Sequence, residues 1–501
     1  MKRSSGILMP MSSLPSNYGI GTMGKAAFSF VDFLAAAGQR YWQLLPMGPT
    51  GCGDSPYSSF SSFAGNPYFI DLDLLIKDGL LSPKDVKNID WGDNAEEVDY
   101  GKIYKNRFNV LYKAYEKGKT LFAEEFSRFC AENSAWLENY ALFTAIKEKF
   151  GGKCWIDWED ERIRKHDPRA VEEYKKELSD RVRFYEFVQF LFFGQWEKLK
   201  KYAAEKEVYF IGDVPIYAAL DSSDVWSEPK YFRLDENNFP TEVAGVPPDA
   251  FSEEGQLWGN PLYNWEEMQK DGYGWWIRRI GGAERLFDVI RIDHFRGFES
   301  FWAIPYGDRD AKNGRWEKGP GAPFVKMLAA WFSGLEFIAE DLGIIGDDVR
   351  NLVKESGFPG MKVLEFAFNS ESYSTYLPHS CGKDSVCYIG THDNETVSGW
   401  LENSKKADVA FAKRYMKITP DEGWQFGFIR TGMETNSTLF VMQMQDILSL
   451  PAYSRTNIPG TAFGNWKWRM KKGEANAALA KKLYSYTKTY QRLSVSDIPE
   501  D

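Results

Sequence analysis

Eight short apolar runs, each closed by glycine, proline or polar residues, punctuate the chain at 6–11, 41–47, 207–217, 287–293, 335–340, 361–368, 385–390 and 438–445. Continuous apolar runs of this length read as strands buried on both faces, the pattern of a parallel sheet wrapped by helices. Amphipathic stretches separate them, among them 26–37, 324–333 and 347–356, where apolar residues recur at helical spacing. Eight such strands predict an α/β fold, a (β/α)8 TIM barrel. Such a barrel needs about 250 residues, so large insertions after strands two and three are expected to supply much of the rest, with no C-terminal β-sandwich. The expected organisation is strands one and two with a long loop in 1–73, a mainly helical insertion in 74–150, and a return to the barrel with strand three in 151–216. A second insertion follows in 217–280, then strands four to eight and C-terminal helices in 281–501. The stretch from 217 to Trp265, rich in proline and glycine, reads as loop.

The polar residues at the ends of these runs change the picture. Strand four closes as RIDHFRG, placing Arg291, Asp293, His294 and Arg296 within six positions. Strand five ends in Glu340, strand seven leads into His392 and Asp393, and strand three ends near Asp213. A packed strand has no use for unpaired charge, and a (β/α)8 enzyme keeps its chemistry at the carboxyl ends of its strands. A buried ion-pair network is the alternative. Two carboxylates facing each other across a sugar bond are the minimal apparatus for glycosidic cleavage. Arg291 is placed to keep Asp293 ionised, while the greasy run before Glu340 raises its pKa toward that of a general acid. His294 and His392 adjoin these acids and suit hydrogen bonds to sugar hydroxyls. Three acids at a barrel mouth also suit magnesium, as in a metal-dependent lyase, but no lysine stands at the strand ends opposite them.

Composition narrows the classes. The 501 residues carry a net charge of −10 with no basic run, so no nucleic-acid partner is expected. Aromatics make up 16%, with flat faces that suit sugar rings as well as a large core. Five scattered cysteines and four scattered histidines suggest neither a disulfide framework nor a metal site, and no cofactor is expected. The early apolar run is too short for a signal segment, and no window of about 18 apolar residues implies a membrane span. A cytoplasmic location is expected, or a plastid one if a transit peptide has been removed.

RIDHFRGF (291–298), AEDLG (339–343) and GTHDNET (390–396) resemble the 4-α-glucanotransferases, the amylomaltase or disproportionating-enzyme family of the α-amylase clan. The resemblance extends to SLPSNYGIG near the start, GPTGCGDSPYSSFSSFAGNP (48–67), GDVPIY (212–217), VPPDAFSEEGQLWGNPLYNW (246–265) and RTNIPGTAFGNWKWR (455–469). It implies Asp293 as nucleophile, Glu340 as acid and base, and Asp393 as stabiliser of the transition state. It implies that Arg291, His392 and Asp213 flank the broken bond, with Tyr57 and Ser55 on a loop contacting the donor glucan. Gln256 and Trp258 match a mobile lid, and Asn465, in the last motif, a substrate contact. The implied partners are malto-oligosaccharides and starch- or glycogen-derived glucans. Glu395, where many relatives carry Asp, departs from the pattern, as do Thr22 and Met23. An α-glucan hydrolase of the same clan and a catalytically silent glucan-binding protein are the competing readings; the three intact acids argue against the latter.

Overall fold

The computed structural model describes residues 1–248, 252–343 and 345–493. Residues 249–251, inside the stretch expected to form a lid, lie outside the described residues, as does 494–501 at the end of the segment assigned to C-terminal helices.

Eight strands pair in parallel around one axis: Ser4–Leu8, Tyr41–Gln43, Tyr209–Pro215, Val289–Asp293, Glu336–Ala339, Gly360–Val363, Ser385–Tyr388 and Leu439–Gln443. Each runs beside the next, and the eighth pairs with the first, Ser4 opposite Leu439 and Leu8 opposite Gln443. Strands five and six share no ladder. There the Ala339 N–H donates to the Pro359 carbonyl at 3.0 Å and the Met361 N–H to Asp341 Oδ1 at 2.7 Å. The chain is an eight-stranded (β/α)8 barrel with one thin seam.

Strand alternation explains why the runs are apolar throughout. Leu8, Tyr41, Ile211, Val289, Ile338, Met361, Val386 and Leu439 fill the interior, while Ile7, Trp42, Phe210, Ile290 and Phe440 face the surrounding helices. Toward the carboxyl ends the interior turns polar, with Gln43, Asp213 and Arg291 all buried. The strands are shorter than their apolar runs, and at two of them the chain shows why. After Val363 the sixth enters a 3-10 turn, Leu364–Phe366, and Phe366 is 46% exposed. The first begins at Ser4 and stops before Pro10, which cannot donate a ladder hydrogen bond.

Helices Tyr100–Leu121, Ala123–Glu132, Ser134–Lys149, Pro168–Glu177 and Ser179–Glu205 lie between strands two and three. The last carries two buried glutamines that hold a loop as a neighbouring strand would. Gln189 accepts from the Gly65 N–H at 2.7 Å and donates to its carbonyl at 2.9 Å. Gln195 does the same for Asp71, at 2.7 and 3.0 Å. These bonds anchor the end of the loop that follows strand two.

The expectation of loop throughout 217–265 needs correction. Glu242–Val246 and Gln256–Pro261 form an antiparallel sheet with Ser300–Pro305 and Arg315–Lys318, which follow strand four. The division at 280/281 therefore cuts through one small sheet. A sheet with one wet face has strands of mixed composition; Arg315–Lys318 reads RWEK. Among the described residues no helix is long and apolar enough to cross a membrane.

Candidate active site

Parallel register assembles the site. Asp213 on strand three pairs with Arg291 on strand four, and Pro215 with Asp293, so residues two apart on one strand meet those opposite on one face. The Arg291 guanidinium donates to both oxygens of Asp213 at 2.7 and 2.6 Å and lies 3.0 Å from Asp293 Oδ1. It is the cation among these acids. Tyr57, from the loop after strand two, donates its hydroxyl to Asp213 Oδ2 at 2.8 Å. Its ring lies nearly parallel to that of His392, centroids 5.0 Å apart, and Trp466 packs against both.

Glu340 stands one position past Ala339, whose ladder partner is Ile292. Its carboxylate accepts the His294 N–H at 2.8 Å and the Leu342 N–H at 2.8 Å. His294 has a left-handed backbone, φ 53°, uncommon for a residue with a side chain, and this turn directs its amide at Glu340. Burial, then the nearby Asp293 charge, push Glu340 up to about 7, against the pull of Arg291 and the two amides. Burial also lifts Asp293, to about 6. Arg291 does pull Asp293 down, as the sequence suggests, but burial outweighs it and Asp213 adds a second negative charge. The two values belong to the pair, and Glu340 remains the one that keeps its proton to higher pH. Burial holds the His294 ring neutral, its value pushed down to about 3.

Asp393 lies on the turn after strand seven. Asn457 donates to its Oδ1 at 2.6 Å, and His392 Nε2 is 3.4 Å from the same oxygen. A cleft of about 580 Å³ opens over these groups, walled by Ser55, Tyr57, Trp258, Asp293, His392 and Asp393. Gln256 and Trp258 reach it from the edge strand Gln256–Pro261, where the Trp258 indole donates to Gln256 Oε1 at 3.1 Å. The Trp258 ring stands edge-on to His294, centroids 4.8 Å apart.

Of the residues singled out from the sequence, Ser55, Tyr57, Gln256, Trp258, Asp293, His294, His392 and Asp393 line the cleft. Asp213 and Arg291 lie beneath it, and Glu340 is bound to the backbone of cleft-lining His294. Asn465 is placed differently. It is buried, its oxygen accepting from the Ile458 N–H and its amide donating to Thr461, so it shapes a loop at the rim. Asn457, Trp466, Tyr217 and Asp221, also in the cleft wall, carried no signal in the reading of strand ends. Asn457 and Trp466 do fall inside the RTNIPGTAFGNWKWR motif, and Tyr217 closes GDVPIY.

A parallel barrel with a buried proton-holding glutamate beside an ionisable aspartate at its carboxyl rim defines a (β/α)8 enzyme of the glycoside-cleaving type. The model of the 4-alpha-glucanotransferase family matches residues 9–475. The 4-alpha-glucanotransferase of Clostridium butyricum is 46% identical over 97% of this chain and all of its own length, and that of Thermus thermophilus is 42% identical over 98% of this chain and all of its own. The solved amylomaltase from Streptococcus agalactiae, in complex with acarbose, superposes with a TM-score of 0.96 at 41% identity, covering 98% of this chain and all of that one. The chain belongs to the 4-alpha-glucanotransferase family, and is a transferase acting on α-1,4-glucans.

Proposed function

We propose that this enzyme disproportionates malto-oligosaccharides and starch- or glycogen-derived glucans by a retaining double displacement. Asp293 attacks the anomeric carbon while Glu340 gives its proton to the leaving glycosidic oxygen; one C–O bond forms and one breaks. The leaving glucan departs with that proton. The 4-hydroxyl of an acceptor glucan then attacks the same carbon, yielding its proton to Glu340, and Asp293 is released as carboxylate. Asp393 offers negative charge to the oxocarbenium-like transition state. Arg291 and Asp213 set the field around Asp293. Tyr57, Ser55, His294 and His392 bind sugar hydroxyls, and Gln256 and Trp258 cover the acceptor side against water. The observation that carries this reading is the pairing of Glu340, held by two amides and retaining a proton near neutral pH, with Asp293 on the adjacent strand.

Incubation with maltotriose tests it. A ladder of longer oligomers together with glucose is the expected product, whereas glucose and maltose alone would mark a hydrolase. Unchanged turnover in Asp293→Asn would remove the nucleophile assignment. The scarcity and scatter of cysteine favour a cytoplasmic location, which fractionation of the source cell would check.

A further inference from the structure

The turn that carries Asp393 has no regular secondary structure to aim its carboxylate. Within the turn, the Thr391 N–H and hydroxyl donate to Asn394 Oδ1, both at 2.9 Å, which stiffens the backbone but does not touch the Asp393 carboxylate. The hydrogen bonds that its carbonyl and carboxylate accept come from a segment more than sixty positions away. Arg455 Nη2 donates to the Asp393 carbonyl at 2.6 Å, while its Nη1 donates to Glu395 Oε1 at 2.6 Å. Its Nε donates to the Asn457 carbonyl at 2.7 Å. Asn457 in turn donates its backbone N–H to the His392 carbonyl at 3.1 Å and its side-chain amide to Asp393 Oδ1 at 2.6 Å.

One guanidinium thus joins the backbone of the turn, the side chain two residues on, and the backbone of Asn457. The division of charge matters as much as the geometry. Asp393 Oδ1 is held by a neutral amide, which brings no countercharge, and Oδ2 accepts no hydrogen bond among the described residues. The positive charge of Arg455 is met by Glu395 instead. Two further acids lie close by. Glu365 and Asp446 are buried, each with one oxygen lacking a partner, and burial pushes both upward; the carboxylate that Arg455 reaches is that of Glu395.

We propose that Arg455 and Asn457 are positioning residues for the transfer reaction, fixing the aim of the Asp393 carboxylate in the cleft while leaving its charge intact. This rests on the reading of Asp393 as the residue that stabilises the transition state. Misplacing a catalytic group by about 1 Å costs on the order of 10²-fold in rate. Asn457→Ala is therefore expected to lower kcat for maltotriose disproportionation about ten- to hundredfold, with KM changed less than about twofold. Asn457→Asp is expected to be worse than Asn457→Ala, because a second carboxylate against Asp393 repels it. Arg455→Ala should lower kcat similarly, and Arg455→Lys should recover part of the loss, since an ammonium lacks the fork that reaches both Glu395 and the Asp393 carbonyl.

Parental kcat in Asn457→Ala and Arg455→Ala, with Asp393→Asn inactive, would overturn the proposal. So would losses that follow thermal stability alone and are equal in Arg455→Ala and Arg455→Lys. Turnover of Asp393→Asn at the parental rate would instead overturn the role given to Asp393, which keeps the two failures apart. Asn457 lies on the cleft wall outside the core, so its variants retain a readout even where loss of Arg455 impairs folding.

Discussion

Asp293 and Glu340 differ in what they must hold. Turnover needs Asp293 ionised and Glu340 protonated. With Asp293 near 6 and Glu340 near 7, activity rises with pH through the first value and falls through the second, giving a narrow bell. Asp213 raises Asp293 by its charge and shares Arg291 with it. Asp213→Asn should therefore move the acid limb to lower pH, measured as kcat/KM for maltotriose across pH 4–9; an unmoved or raised limb would contradict this arrangement. Buried Asp446 behaves differently. Burial pushes its folded value up to about 7, above that of an unfolded aspartate. The unfolded chain then gives up its proton first, and stability falls as pH rises between the two values. Asp446→Asn keeps an acceptor for the Val397 N–H, given at 2.7 Å, and is expected to melt higher than the parent at pH 8 with little difference at pH 4. Thermal melts at both pH values check the sign.

At the scale of elements, the barrel depends on a seam that is not a ladder. Asp341, beside Glu340, accepts the Met361 N–H, and a Cβ at Gly360 would lie 2.6 Å from Asp341 Oδ2. The two strands are thus drawn together by a side chain beside the single Pro359 carbonyl, where strands elsewhere use carbonyls alone. Asp341→Ala leaves the Met361 N–H without its acceptor, and an orphaned buried donor costs roughly 1–3 kcal/mol. Urea denaturation should show that loss, and hydrogen exchange should show 360–363 opening before the remaining strands. Asp341→Asn retains an acceptor oxygen and should lose less. If the two variants are equally destabilised, the hydrogen bond is not what closes the seam. The same logic explains Gln189 and Gln195, whose amides supply to Gly65 and Asp71 the paired donor and acceptor that a strand would.

For the whole molecule, one apolar cluster runs from Ile7 in strand one through Val110 and Phe143 in the helical insertion to Leu483 near the end. The helices between strands two and three meet the barrel through contacts such as Trp196 with Phe210, ring centroids 4.8 Å apart. A shared core predicts a single unfolding transition in calorimetry rather than separate events for insertion and barrel. Two resolved transitions would show that the insertion is a domain of its own.

The barrel could be read from the chain because its strands are buried on both faces, so burial alone marks each one as a short apolar run. Asp293, Glu340 and Asp393 stood out for the complementary reason, as charge at the ends of such runs. The small antiparallel sheet did not, since a half-wet strand such as Arg315–Lys318 has no local pattern to distinguish it from loop. Asn457 and Arg455 stand in the RTNIPGTAFGNWKWR motif, but nothing local points to what they touch. Their partner Asp393 is 64 and 62 positions away, and periodicity carries no information about contacts at that range. What the sequence determined by itself was which segments are buried and where charge is set at their ends, because both follow from local composition. Only the tertiary structure decided which charges meet, that Arg291 is shared between Asp213 and Asp293, and that burial lifts Asp293 as well as Glu340. Those outcomes depend on desolvation and on distances between remote segments, which exist only once the chain has closed into the barrel.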